Sequence, residues 1–310
     1  MKVGIVGAGM VGSSVGFALA ITGYASQIVI VDRNEALAVA QAEDIAHAVP
    51  FMSATRVSAG GYAELAGSGI VILAAGVSQK PGETRLELLG RNTIVFREIV
   101  GAVLAVVEDP ILLVASNPVD AMTFITTRLS GLPPHRVIGS GTVLDTARFR
   151  SLIARHLSIS PQSIHADVIG EHGDSEVLVW NSARAGSVDL SSFARQIGAP
   201  LTDAVRDSID DGVRNAAYKI IAGKGATYYG IGAGIARIVK AIARDEGVVL
   251  SLSMVTAHVA GVDDVALSLP RVIGASGVVI DLLPDLSTAE NDALKHSAEL
   301  LKSINDALAL

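Results

Sequence analysis

The chain of 310 residues has no cysteine. Disulfides, thiolate metal sites, iron–sulfur clusters and cysteine nucleophiles are therefore excluded. Aromatic residues make up only 4% and charged residues only 18%, while half the chain is hydrophobic. A chain this apolar is not intrinsically disordered, because it can bury a large core. Its apolar content is mostly Ala, Val, Ile and Leu, which suits strands buried on both faces. Basic residues are outnumbered, with 24 Lys and Arg against 31 Asp and Glu. That balance argues against nucleic acid as a partner. The mean hydropathy of +0.49 raises the question of a membrane. The stretch from Val3 to Gly23 carries no charge, but six glycines dilute it and divide it into a strand, a loop and a helix. A spanning or exported segment is therefore not expected there, and the expected location is cytoplasmic.

What is present is alternation. Short runs rich in Val and Ile stand at Lys2–Val6, Gln27–Val31, Gly69–Ala74, Ile111–Ala115 and Val137–Ile138. Helical patterns at Glu35–Ala46 and Asn92–Val107 lie between them. This order predicts an α/β fold with an N-terminal doubly wound parallel sheet. Beyond Gly139–Gly141 the pattern changes. Helices are expected over Asp145–Leu157, Thr202–Ala222, Ile231–Ala243 and Ser287–Ala309, and strands at His165–Ile169, Val248–His258 and Val272–Gly274. The expected division is a dinucleotide-binding domain over 1–140 and an α+β catalytic domain over 141–310.

Gly7, Gly9 and Gly12 form G-x-G-x-x-G between the first strand and the first helix. The glycines let the backbone approach a pyrophosphate, which the helix N-terminus stabilises. Asp32 follows Gly12 by twenty residues at the end of the second strand. Its carboxylate suits ribose hydroxyls and repels a 2′-phosphate, so NAD is expected over NADP. Neighbouring Arg33 works against that preference.

Four later segments carry polar chemistry: Gly76–Arg85, Ser116–Asp120, Asp145–Arg148 and Gly170–Glu176. Each has a plain alternative. Asp145 and Arg148 suit a helix ion pair, Asn117-Pro118 a turn, and His172 a solvated loop. The acidic residues around His172 match no standard metal spacing, so no metal is expected.

Together with Lys224-Gly225-Ala226-Thr227-Tyr228-Tyr229-Gly230, these segments resemble the L-lactate/malate dehydrogenase family, nearest its bacterial lactate branch. The resemblance covers essentially the whole chain. It implies an oxidoreductase of glycolysis and pyruvate fermentation in which His172 exchanges a proton with the substrate oxygen and Asp145 orients and charges His172. Arg148 would clamp the substrate carboxylate and Arg85, on a closing loop, would polarise the carbonyl. Asn117 would bond near the same oxygen, and Thr227 would line the methyl end of the pocket. Gln79 stands where an arginine would neutralise a second carboxylate, so pyruvate and L-lactate are expected over oxaloacetate and malate. Malate dehydrogenase chemistry and a silent NAD-binding sensor are the competing readings. The resemblance extends cofactor contact to Met10, Val11, Tyr62, Gly76, Val77, Ala115, Ser116, Asn117 and Ser140. It also implies a homotetramer, and a site for fructose 1,6-bisphosphate built from Arg150 and His165 of two subunits. Arg150 lies about 200° round the helix from Arg148. The alternative is that Arg150 is an ion-pair partner and His165 a strand residue.

Overall fold

A computed structural model describes residues 1–77 and 82–308, the side chain of Arg85 excepted. Six strands form the parallel part of the sheet: β1 (Lys2–Val6), β2 (Gln27–Val31), β3 (Arg56–Ala59), β4 (Ile70–Leu73), β5 (Ile111–Val114) and β6 (Val137–Gly139). The crossovers carry α1 (Met10–Thr22), α2 (Glu35–Ala48), α3 (Arg85–Leu104) and α4 (Val119–Ser130). After them come α5 (Val143–Leu157), β7 (Ile164–His165), β8 (Val168–Ile169), β9 (Val177–Leu178), β10 (Arg184–Ala185) and β11 (Val188–Asp189). Then follow α6 (Leu190–Gln196), α7 (Asp203–Arg214), α8 (Ala216–Lys224), α9 (Tyr229–Ala243), β12 (Val248–Val259), β13 (Val262–Gly274), β14 (Gly277–Asp281) and α10 (Thr288–Asp306).

The sheet order is β14-β13-β12-β6-β5-β4-β1-β2-β3. The apolar runs alternate between its two faces. Val3, Ile5, Ile28, Ile30, Ile70 and Ile72 pack with α1, α2 and α9 residues on one side. Val6, Val29, Val31, Val71, Leu73 and Val114 pack with α3 and α4 residues on the other. Each buried Val or Ile stabilises the fold by roughly 1.5–3 kcal/mol. Both faces are covered, so beyond the first residues Lys2 and Gln27 the interior strands are apolar and their runs are continuous.

The uncharged N-terminal stretch is β1, the glycine loop and α1, and no helix among the described residues is long and apolar enough to cross a membrane. Several expectations need correction. The third crossover helix begins at Arg85 rather than Asn92, because Thr84 and Glu87 form a capping box. The expected helix over Thr202–Ala222 is divided into α7 and α8 at Asn215, whose φ of −90° and ψ of 2° leave the helical range and whose side chain bonds to Asp211. The expected strand His165–Ile169 is two short strands. Between them Asp167 takes bonds from Arg150 and Ser251. Strands β7, β10 and β11 form one small sheet and β8 and β9 another, while β12, β13 and β14 join the large one. β12 pairs antiparallel with β6 at Ser253 and Gly139, and so extends the parallel sheet.

Candidate active site

The glycine loop leaves β1 at Gly7, whose φ of 111° lies in the left-handed region. A Cβ there would meet the Ala75 backbone at 2.6 Å, and one at Gly12 would meet Gly7 O at 1.8 Å. These two glycines let the chain turn onto α1. Gly9 is different, because a Cβ there would meet nothing within 4 Å. Gly9 caps α1 without a side-chain bond, and no acidic residue occupies the first turn. The helix N-terminus therefore faces open space with its amides uncompensated, a cradle suited to a phosphate. Met10 is exposed and Val11 half-buried beside it.

Asp32 directly follows β2. Its Oδ2 accepts the Ala8 N–H at 2.7 Å and its Oδ1 accepts the Asn34 N–H at 2.8 Å. The carboxylate thus braces the loop while keeping further lone pairs for hydroxyl donors. Tyr62 is close enough for Glu98 and Asp32 to act on it. Burial first, then those two charges, raise its phenol pKa. Gly76 and Val77 follow β4, where Asn92 Oδ1 accepts the Val77 N–H at 3.0 Å. Ala115 and Ser116 follow β5, and the Ser116 hydroxyl donates to Ala75 O. Asn117 is exposed and joined to Pro118 by a cis peptide. Ser140 is buried after β6, its N–H bonded to Val114 O. These residues stand at the carboxyl ends of the parallel strands, where open α/β sheets bind ligands. The set fits a dinucleotide.

The charged cluster lies on α5 and the turn between β8 and β9. Asp145, in the first turn of α5, is buried at 2% exposure. Its Oδ2 meets His172 Nδ1 at 2.6 Å and its Oδ1 accepts from Arg148 at 2.5 Å. Spacing of three residues puts Asp145 and Arg148 on one face of the helix. Burial disfavours the charged imidazole, but the Asp145 bond and charge, helped by Asp120 and Glu176, outweigh it. His172 is pushed up to about 9. Asp145 is held below the usual carboxylate range: burial alone would raise it, and His172 and Arg148 overcome that. With Nδ1 engaged, His172 presents Nε2 as its exchangeable group.

Two acids in this cluster escaped the sequence reading as functional residues. Asp120 accepts the His172 N–H on Oδ2 at 2.7 Å. Glu176 is buried at 5% exposure and pushed up to about 8, first by burial and then by Asp145, against the pull of Arg214, His172 and Arg148. Both close polar segments that stand out in the sequence, but their relation to His172 depends on long-range packing.

Thr227 is half-buried on the connection between α8 and α9 and makes no hydrogen bond to the cluster among the described residues. Arg85 opens α3, while Gln79 lies outside the described residues. Arg150 points away from Asp145 to Ala166 O at 2.7 Å and Asp167 Oδ1 at 2.9 Å. His165 is exposed on β7, opposite Arg184 of β10.

Residues 1–139 match the lactate/malate dehydrogenase NAD-binding domain, and residues 142–310 match the lactate/malate dehydrogenase alpha/beta C-terminal domain. An L-lactate dehydrogenase of Allorhizobium ampelinum is 67% identical over 304 residues, covering 98% of each chain. One from Thermus aquaticus is 57% identical over 308 residues, covering 99% of each. Among solved structures, a lactate dehydrogenase enzyme from a Medee basin deep-sea metagenome library superposes with a TM-score of 0.97 at 37% identity, covering 100% of this chain and 99% of that one. The ligand-bound minor L-lactate dehydrogenase of Enterococcus mundtii superposes with a TM-score of 0.96 at 39% identity, covering 100% and 98%.

Proposed function

The chain belongs to the lactate/malate dehydrogenase family, and we propose that it interconverts pyruvate and L-lactate with NAD as its cofactor. The observation that carries the chemistry is the division of Asp145 between His172 and Arg148. One buried carboxylate orients an imidazolium and a guanidinium side by side.

Gly7, Gly9, Gly12 and Asp32 would hold the dinucleotide, with Met10, Val11, Tyr62, Gly76, Val77, Ala115, Ser116, Asn117 and Ser140 around it. Bound NADH supplies the hydride. Arg148 binds the substrate carboxylate through parallel hydrogen bonds, a geometry lysine cannot reproduce. His172 donates its Nε2 proton to the ketone oxygen as the carbon is reduced, and takes it back in lactate oxidation. Asp145 fixes the tautomer and stabilises the charged ring. Arg85 and Asn117 stabilise the developing charge on oxygen, and Gln79 and Thr227 set the far end of the pocket.

NADH oxidation with a panel of 2-keto acids tests this reading. Pyruvate should lead on kcat/KM, and a preference for oxaloacetate would overturn it. His172→Asn should abolish turnover while leaving NADH binding intact.

We also propose a homotetramer acting in the cytoplasm, in glycolytic pyruvate fermentation, with fructose 1,6-bisphosphate as activator. Phe51 at 85% exposure and Met52 at 58% are apolar side chains that an interface would cover. Light scattering on the purified protein checks the assembly. His165 is exposed, and Arg150 is partly exposed beyond its ion pair with Asp167. The bisphosphate should lower the KM for pyruvate, and superimposable saturation curves would remove this part.

A further inference from the structure

The turn that carries His172 is held by its main chain as well as by its ring. Two consecutive amides are taken by buried side chains from two different helices. The Glu171 N–H donates to Ser297 Oγ of α10 at 2.8 Å, and the His172 N–H donates to Asp120 Oδ2 of α4 at 2.7 Å. Gly170, at φ 84°, permits the first approach, since a Cβ there would meet Ser297 Oγ at 2.8 Å. Asp120 is 2% exposed. Its Oδ1 and the buried Ser253 Oγ have no hydrogen-bond partner of normal geometry among the described residues. No lysine or arginine forms an ion pair with Asp120 among them.

A buried carboxylate without a cationic side-chain partner is an expensive way to accept one amide bond, because asparagine or serine accepts the same bond without a charge. The charge therefore calls for its own account. His172 is acted on by Asp145 from α5, Asp120 from α4 and Glu176 from its own turn; Arg148 pairs with Asp145, Glu171 acts on Asp120, and Arg214 of α7 and Arg148 act on Glu176.

We propose that Asp120 is a positioning residue for His172: its Oδ2 fixes the main chain that aims the ring at Asp145, and its charge helps keep the ring protonated. The inference rests on reading His172 as the acid–base group. Burial pushes the Asp120 carboxyl up to about 6, against the pull of Ser253 and of the His172 amide and ring. Asp120 is thus ionised at neutral pH and above, where its charge favours imidazolium. Removing that charge lowers the pKa of His172 and moves the alkaline limb of pyruvate reduction to lower pH.

Two variants separate the bond from the charge. Asp120→Asn keeps an oxygen for the His172 amide, and Asp120→Ala removes both. Steady-state pyruvate reduction at saturating NADH is followed across pH. Asp120→Asn should move the alkaline limb down by about half a pH unit or more while kcat at low pH stays within roughly threefold. Asp120→Ala should show that displacement and lose at least about tenfold in kcat, with NADH affinity nearly unchanged. An unmoved limb in Asp120→Asn, or equal kcat losses in the two variants, overturns the proposal. Should Asp120→Ala fail to fold, the limb of Asp120→Asn decides alone. An active His172→Asn enzyme would instead sink the acid–base reading, so the two failures are distinguishable.

Discussion

Asp145→Asn bears hardest on the proposed chemistry. The substitution keeps the shape and an oxygen for His172 Nδ1, and removes only the charge. In the fold His172 titrates at about 9 against an ordinary 6.5, a gap equivalent to about 3 kcal/mol favouring the imidazolium. Burial acts against that gap, so the neighbouring carboxylates supply more than the net amount, and Asp145 is the one in direct contact. Without it the ring should fall to about 6.5 or below, since desolvation is then poorly opposed. At pH 8 the protonated share would drop from about nine-tenths to about three-hundredths, a loss of roughly thirtyfold in competent enzyme. The assay is kcat/KM for pyruvate from acid to alkaline pH, with NADH affinity measured in parallel. The alkaline limb should move from about 9 to about 6.5 or lower. An enzyme weakened equally at every pH, with its limb near 9, would refute the reasoning. In that case Asp145 would orient the ring without holding its proton.

Four further substitutions have distinct expected outcomes. Glu176 keeps its proton up to about 8 in the fold against 4.5 when free. The folded state therefore binds more protons than the unfolded state, and this group's contribution falls as pH rises from about 4.5 to about 8. Glu176→Gln should raise Tm most at pH 8 and little at pH 5, and a pH-independent change in Tm would contradict this. Gly12→Ala drives a Cβ into Gly7 O and should cost about 3 kcal/mol or more, along with NADH binding. Gly9→Ala has room in the fold, so its Tm should hold while NADH affinity drops about tenfold, read by fluorescence titration. Gln79→Arg should shift the kcat/KM ratio towards oxaloacetate by supplying a charge for its second carboxylate, and an unchanged ratio would remove Gln79 from the specificity argument.

How much of this was legible depends on the range of the interaction concerned. The runs at Val3, Ile28, Ile70 and Leu112 revealed themselves because burial on both faces leaves continuous apolar sequence. β3 did not, because an edge strand is covered on fewer sides: Arg56 and Ser58 are exposed and Val57 is only half-buried. The start of α3 was written in Thr84 and Glu87, but Gly90 and the polar residues before it disguised the helical period. In the site, the Asp145–Arg148 pairing follows from a spacing of three residues. The link from Asp145 to His172 crosses 27 positions and was supplied by family resemblance alone. The amide bond from His172 to Asp120 crosses 52, and nothing in the local pattern of either segment announces it.

That last bond depends on how the sheet is assembled. β12 docks on β6 through Ser253 and Gly139, which carries Ser253 to the side of Asp120. α9, from the C-terminal half, packs on α1, the helix behind the phosphate loop. Asp120 sits in the first turn of α4, the helix after the fifth strand, and holds a turn belonging to the C-terminal region. The His172 turn, through Asp120 and the bridge from Gly170 to Ser268, and the glycine loop after β1 are therefore tied to one continuous sheet. Hydride and proton must arrive within bonding distance of adjacent substrate atoms, and a misplacement of about 1 Å is enough to lower the rate roughly a hundredfold. A hinge between two separate sheets would leave that distance to thermal motion. On the proposed reading, a shared sheet with a clamped turn fixes His172 relative to the glycine loop.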